Sequence, residues 1–219
     1  MTDKILKQNV LDELAWEPSV NAAHIGVTAR EGVRAALVTL TGHVCSYTEK
    51  LAAERATGRV SGVKAVAEEL EVRYLDSATT TDEDIAKRAI QSLAWDVSIP
   101  DDKVKIKVEK GWVTLTGNVD WYYQKHDVES HIRKLQGVMG VFDKIAIKPT
   151  VHVSDVRSKI VAAFGRSAEI DADDIVVTSE GGKVTLSGDV ATYSEKWLAQ
   201  STAWSAPGVT QVENLLTVN

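Results

Sequence analysis

The chain has 219 residues, 44% of them hydrophobic and 26% charged, with a net charge of −6 and one cysteine. This composition is ordinary for a globular protein and allows no intramolecular disulfide; it gives no basic excess for broad capture of nucleic acid, and no apolar run nears the roughly 18 residues of a membrane span. Met1 to Lys7 lacks the apolar stretch of a secretory signal, so a soluble cytoplasmic protein is expected, with a periplasmic site only if a leader preceded the sequence as given.

In chain order, Ile5 to Ala15 reads as a helix. His24–Ala29 and Ala36–Thr41 read as a strand hairpin, Tyr47–Arg59 as a second helix and Val63–Tyr74 as a closing strand. The next stretch repeats the plan. Thr81-Asp82-Glu83-Asp84 fits a capping box, with Thr81 as the N-cap, and Ile85, Ala86, Ala89, Ile90, Leu93 and Ala94 follow at helical spacing. Lys103 to Glu109 alternates strictly, with Val104, Ile106 and Val108 inward and lysines outward. Lys110-Gly111 turns the chain into a strand from Trp112 to Thr116, which Gly117-Asn118 is expected to end. A helix from Trp121 to Leu135 follows, with Tyr122 on its core side, then Gly137 as a left-handed helix stop and a strand through Val138, Val141, Ile145 and Ile147. In the last stretch Ser154 is expected to cap a helix ending near Phe164. Ile175–Thr178 and Val184–Leu186 pair across Glu180-Gly181-Gly182, Tyr193–Trp204 is a helix, and Val209–Val218 closes.

The three stretches share fixed spacings. Val38-Thr39-Leu40-Thr41-Gly42 recurs as Val113-Thr114-Leu115-Thr116-Gly117 and as Val184-Thr185-Leu186-Ser187-Gly188. A tyrosine stands five residues after each glycine (Tyr47, Tyr122, Tyr193), and a Gly-Val pair twenty after it, beginning at Gly62, Gly137 and Gly208. These periods, above 70 residues, exceed those of solenoid repeats and denote three copies of one small domain, 1–75, 76–150 and 151–219. Each copy has three strands and two helices in the order α-β-β-α-β: a two-layer α/β (α+β) unit with both helices on one sheet face. Domains of this size have thin cores, and the joints Tyr74–Thr80 and Lys148–His152 are short, so contacts between neighbouring copies are expected.

The V-T-L-[TS]-G strand, the second helix and the closing strand, clearest in Gly208-Val209-Thr210-Gln211-Val212-Glu213-Asn214-Leu215-Leu216-Thr217-Val218, resemble the BON domain, the bacterial OsmY and nodulation family, also called transport-associated domains. The resemblance covers nearly the whole chain as three tandem copies. It implies binding of phospholipid surfaces, a place in osmotic and envelope stress, potassium binding in one cytoplasmic branch, and no enzyme activity. The family's asparagine is Asn214, with Glu68 and Asp143 at the equivalent positions. All three are polar at an otherwise apolar phase, which points to a turn or bulge hydrogen bond there.

No catalytic or metal-binding constellation is visible. His126 and His131 lie about 140° apart on their helix. Cys45 beside His43 lacks an orienting base, and Asp171, Asp173 and Asp174 lack the closing glutamate of a calcium loop. No phosphate-loop pattern occurs, so the repeated glycines serve backbone geometry. Two features carry chemistry. Lys103, Lys105, Lys107 and Lys110, with Trp112 on the next strand, could meet an anionic surface, or could protect an edge strand from pairing. Trp121 and Tyr123, with Lys125, suit a membrane interface, a protein contact or packing between domains. The expected function is therefore non-enzymatic binding of anionic phospholipid or a protein partner, with avidity from three copies and self-association open to it. The alternative is a potassium or small-ligand sensor using backbone carbonyls at a domain joint. No nucleic-acid partner and no other cofactor are expected.

Overall fold

The computed structural model describes residues 3–31, 36–74, 80–100, 102–149, 155–167, 170 and 174–218. The first repeat consists of α1 (Asp3–Trp16), β1 (Ile25–Glu31), β2 (Ala36–Val44), α2 (Tyr47–Arg59) and β3 (Val63–Val72). The second consists of α3 (Asp82–Ala94), β4 (Val104–Glu109), β5 (Trp112–Val119), α4 (Tyr122–Arg133) and β6 (Gly140–Ile147). The third consists of α5 (Val156–Phe164), β7 (Ile175–Glu180), β8 (Lys183–Val190), α6 (Tyr193–Trp204) and β9 (Gln211–Val218). Each repeat forms one three-stranded sheet with the hairpin's second strand in the centre, in the orders β1-β2-β3, β4-β5-β6 and β7-β8-β9. In the outer repeats the hairpin is antiparallel, and the closing strand joins parallel to the central one, as a helical crossover permits.

The chain divides into two compact units. One comprises Met1–Gln91, Lys107–Val113 and His131–Phe142; the other comprises Ser92–Ile106, Thr114–Ser130 and Asp143–Asn219. In the first, Leu6, Val10 and Leu14 of α1 and Ala53 and Ala56 of α2 share one core with Val27, Val38, Leu40 and Leu70 of the sheet, so both helices cover the same sheet face. In the second, Ile160 and Phe164 of α5 and Ala199 and Ala203 of α6 do the same against Val177, Val184, Leu186 and Leu216. Alanines on the second helices let these approach the sheet closely, and the larger side chains of the first helices fill the remaining volume. Contacts between neighbouring repeats occur inside each unit. The Tyr74 hydroxyl donates to the Val138 carbonyl at 2.7 Å in the first, and Tyr122 stacks on Trp204 in the second.

The caps follow sequence chemistry. Ser46 and Thr192 accept from the N–H groups of Glu49 and Glu195. Thr81 and Asp84 reciprocate: Asp84 N–H donates to Thr81 Oγ1 at 3.2 Å, and the Thr81 hydroxyl and N–H donate to Asp84 Oδ2 at 2.7 and 3.2 Å. The Thr81 hydroxyl thereby holds the Asp84 carboxyl below the ordinary aspartate value. A carboxyl lowered on folding contributes stability above its unfolded value near 4, and the contribution disappears as pH falls through the folded value. Asp84→Asn should therefore lower the urea midpoint at pH 7 and leave it nearly unchanged at pH 2.5. For α5 the cap is Asp155, in the left-handed conformation and accepting from Ser158 N–H, one residue beyond the expected Ser154, which lies outside the described residues.

Gly117 does not end its strand. β5 runs on to Val119, as β2 runs past Gly42 to Val44 and β8 past Gly188 to Val190. A Cβ on Gly117 would stand 1.9 Å from the Lys103 carbonyl oxygen; on Gly42 it would stand 2.1 Å from that of His24, and on Gly188 2.1 Å from that of Asp174. These glycines allow close backbone approach within a continuous strand, with φ between 113° and 135°. Gly62, Gly137 and Gly208, at φ from 88° to 95°, supply the left-handed turns after the second helices.

Candidate functional site

Two sets of polar side chains that look available in the sequence are used by the fold. Seven residues after each strand glycine stand Glu49, Gln124 and Glu195, all buried. Glu49 accepts from Asn21 N–H and Cys45 N–H, each at 2.7 Å. Gln124 accepts from Asp120 and Trp121 N–H and donates to the Ser98 carbonyl at 3.0 Å. Glu195 accepts from Ala191 N–H at 2.9 Å. Each satisfies backbone donors at the start of a second helix, and the first two also tie that helix to the segment leading into the hairpin.

Eight residues after each glycine stand Lys50, Lys125 and Lys196. Their ammonium groups donate to the carbonyls of Leu70, Ile145 and Leu216 on the closing strands, at 2.7 Å for the first two. The N–H groups of the same three residues are taken by Glu68, Asp143 and Asn214, at 2.7, 2.9 and 3.1 Å. Lys50 and Lys125 also pair with Glu68 and Asp143, at 2.9 and 3.4 Å. β3, β6 and β9 are edge strands, where every second residue turns both backbone groups away from the sheet. One acid or amide and one lysine per repeat satisfy them and close the edge to further pairing. The polar phase is thus a side-chain oxygen that accepts from the backbone N–H two residues on within the same strand, and β9 shows neither turn nor bulge there.

Lys103, just before β4, and Lys105 and Lys107 on it are exposed. Lys103 pairs with Asp120 at 2.7 Å and Lys107 with Glu109 at 2.8 Å; the Glu109 carboxylate raises the Lys107 ammonium above its usual range. Lys110 is left-handed at the hairpin turn, where its N–H and that of Gly111 donate to the Asp82 carboxylate at 2.7 and 2.8 Å. Trp112 stacks on Phe142 with ring centroids 5.0 Å apart and covers Gly140, where a Cβ would fall 2.3 Å from the indole.

Trp121 and Tyr123 come together in the second unit with residues of the third repeat. They line a cleft of about 660 Å³ with Tyr122, His126, Trp197, Gln200, Ser201, Trp204 and Ser205. Tyr122 is half-buried rather than core: its ring lies 4.2 Å from that of Trp204 at an interplanar angle of 12°. Trp197 is 69% exposed and Tyr123 50%.

Two further tryptophans, Trp16 and Trp95, stand exposed. Leu14-Ala15-Trp16-Glu17 and Leu93-Ala94-Trp95-Asp96 repeat one short pattern at the ends of the first helices of repeats one and two. Trp16 is 81% exposed, Trp95 88%, and Val97 lies wholly in solvent. Leu14 and Leu93 are buried, so each helix anchors through its leucine and leaves the indole two residues on in water. No helix is long and apolar enough to cross a membrane, and no cluster of three or more histidine, cysteine or acidic side chains able to hold a metal ion occurs among the described residues.

The BON domain sequence profile matches the chain three times, at residues 2–74, 81–149 and 152–219. The chain belongs to the BON domain family. The chain is similar to osmotically-inducible protein Y of Escherichia coli (strain K12), at 29% identity over 157 residues, covering 68% of this chain and 74% of that protein. Among solved structures, the C-terminal domain of CdsD, a structural protein of the type III secretion system of Chlamydia trachomatis, aligns over 100% of both chains at 13% identity and a TM-score of 0.27. A second CdsD structure aligns over 100% of this chain and 93% of its own at 15% identity and the same score.

Proposed function

We propose that this BON-domain protein is a non-enzymatic binding protein that docks on anionic phospholipid surfaces, in the osmotic-stress setting that the name of its Escherichia coli relative gives. The observation that carries the reading is the pair of indoles, Trp16 and Trp95, left in water at matching places. A large aromatic in water is costly, and the indole, apolar with one polar N–H, suits the headgroup boundary. Immersing half of its roughly 200 Å² at ~25 cal/mol/Å² yields about 2–3 kcal/mol per residue. The charge of −6 opposes a negative membrane, while Lys4 and Lys7 of α1 and Lys105 of β4 are exposed cations that offset this locally. The aromatic contribution therefore dominates, and the salt dependence is shallow.

Co-sedimentation with vesicles of phosphatidylglycerol and phosphatidylethanolamine tests this. Trp95→Ala should weaken binding about tenfold or more, Trp16→Ala comparably, and both variants should keep the parent melting temperature because neither indole is buried. Equal sedimentation of both variants and the parent chain would remove the proposal.

A further inference from the structure

We infer that the aromatic cleft of the second unit is a binding site for a neutral oligosaccharide of all-equatorial pyranose rings. Such rings have two chemically distinct aspects. Their faces carry C–H bonds, and their rims carry hydroxyls that both donate and accept. The cleft is built in the same way. Trp121, Tyr123 and Trp197 offer indole and phenol faces, whose negative π-clouds meet polarised C–H groups. The polar groups of the lining are the Gln200 amide, the hydroxyls of the two serines and two tyrosines, the His126 imidazole and the indole N–H groups; no lysine, arginine, aspartate or glutamate lines the cleft among the described residues. A phosphate or carboxylate would find no arginine or lysine there, and a cation no carboxylate.

The hydrogen-bond inventory points the same way. Trp204 Nε1 is buried and has no acceptor among the described residues, an uncompensated cost. Gln200 Oε1 is taken by Asn214 Nδ2 at 3.1 Å, and the Gln200 amide N–H groups have no acceptor among the described residues. Ser201 and Ser205 donate to the carbonyls of Leu198 and Ser201, so their oxygens keep lone pairs for an incoming donor. A set of open donors with hydroxyl acceptors matches a sugar rim. An acyl chain or apolar peptide face would leave the Gln200 amide N–H groups unpaired and the serine lone pairs unused. The volume falls within the roughly 300–1,000 Å³ of small-ligand sites and exceeds one ring.

The inference stands apart from the membrane reading, since Trp16 and Trp95 do not line this cleft. The test is titration of the full chain with cellotetraose and with chitotetraose, read by tryptophan emission and by calorimetry. Saturable binding of at least one sugar, with Kd between about 10 μM and 1 mM, is expected. Trp197→Ala and Gln200→Ala should each weaken it about tenfold, with an unchanged thermal melt in Trp197→Ala, and Trp95→Ala should leave it intact. No saturation by either sugar up to about 10 mM, or affinity unchanged in Trp197→Ala, would overturn the inference. So would a saturable response confined to choline chloride, a cation, or to a short-chain detergent, an apolar ligand.

Discussion

Gly117→Ala should cost about 3–5 kcal/mol, and Gly42→Ala and Gly188→Ala the same in their own repeats. The backbone φ of 113° to 135° is one that side chains rarely adopt, and the added methyl would meet a carbonyl oxygen at 1.9–2.1 Å, where no flexible atom can yield. Relief requires moving the facing backbone by more than an ångström, and with it the hairpin pairing Ile25 with Gly42 or Ile175 with Gly188. Domains of this size hold roughly 4–10 kcal/mol in total, so one methyl removes much of a repeat's stability. Urea denaturation followed by far-ultraviolet circular dichroism is the measurement, with Gly58→Ala as the control, since nothing lies within 4 Å of a Cβ there. In that helical position alanine should stabilise, by about 1 kcal/mol or less.

Glu49→Ala is the second large effect, about 2–3 kcal/mol. The glutamate is 8% exposed and accepts from Asn21 N–H and Cys45 N–H. Truncation leaves two partly buried donors without acceptors, each costing about 1–3 kcal/mol when water cannot reach it fully. Glu49→Gln should cost less, about 1–2 kcal/mol: Glu49 binds Asn21 N–H and Cys45 N–H with separate oxygens, and the single carbonyl oxygen of a glutamine keeps one of them while its amide N–H2 leaves the other unmet. If alanine and glutamine at position 49 gave equal urea midpoints, the role assigned to these hydrogen bonds would be wrong.

The sequence disclosed the fold where the signals were local. Tyr47–Arg59 and Tyr193–Trp204 have the bounds expected of them because a hydroxyl cap opens each and a glycine turn follows. Gly117 misled because glycine marks both strand ends and close backbone approach, and only the facing strand distinguishes the two. Ser154 and Asp155 are both good caps, and the choice between adjacent caps depends on backbone angles that residue type leaves open.

The candidate sites were less legible because side-chain reach is a tertiary property. Lys125 reads as an exposed cation, yet its stem crosses to Ile145 on the closing strand. The signal was present in Lys50 and Lys196 at the same distance from their glycines, since a lysine kept in three otherwise divergent copies has a structural partner. Trp121 and Tyr123 were visible as extra aromatics, but Trp197 and Trp204 come from another repeat and joined them only through the fold. Trp16 and Trp95 follow directly on helical patterns that end at Ala15 and Ala94, where an aromatic can pack or stand in water alike, and only the fold decides between the two.

The membrane-docking account is tested most directly by quenching of tryptophan emission with vesicles whose phosphatidylglycerol carries bromine on its acyl chains. If Trp16 and Trp95 enter the headgroup boundary, brominated vesicles quench part of the emission of the parent chain, and that part is lost in the Trp16→Phe, Trp95→Phe double variant. Emission that is indifferent to bromine, or quenched equally in parent and variant, would contradict the account.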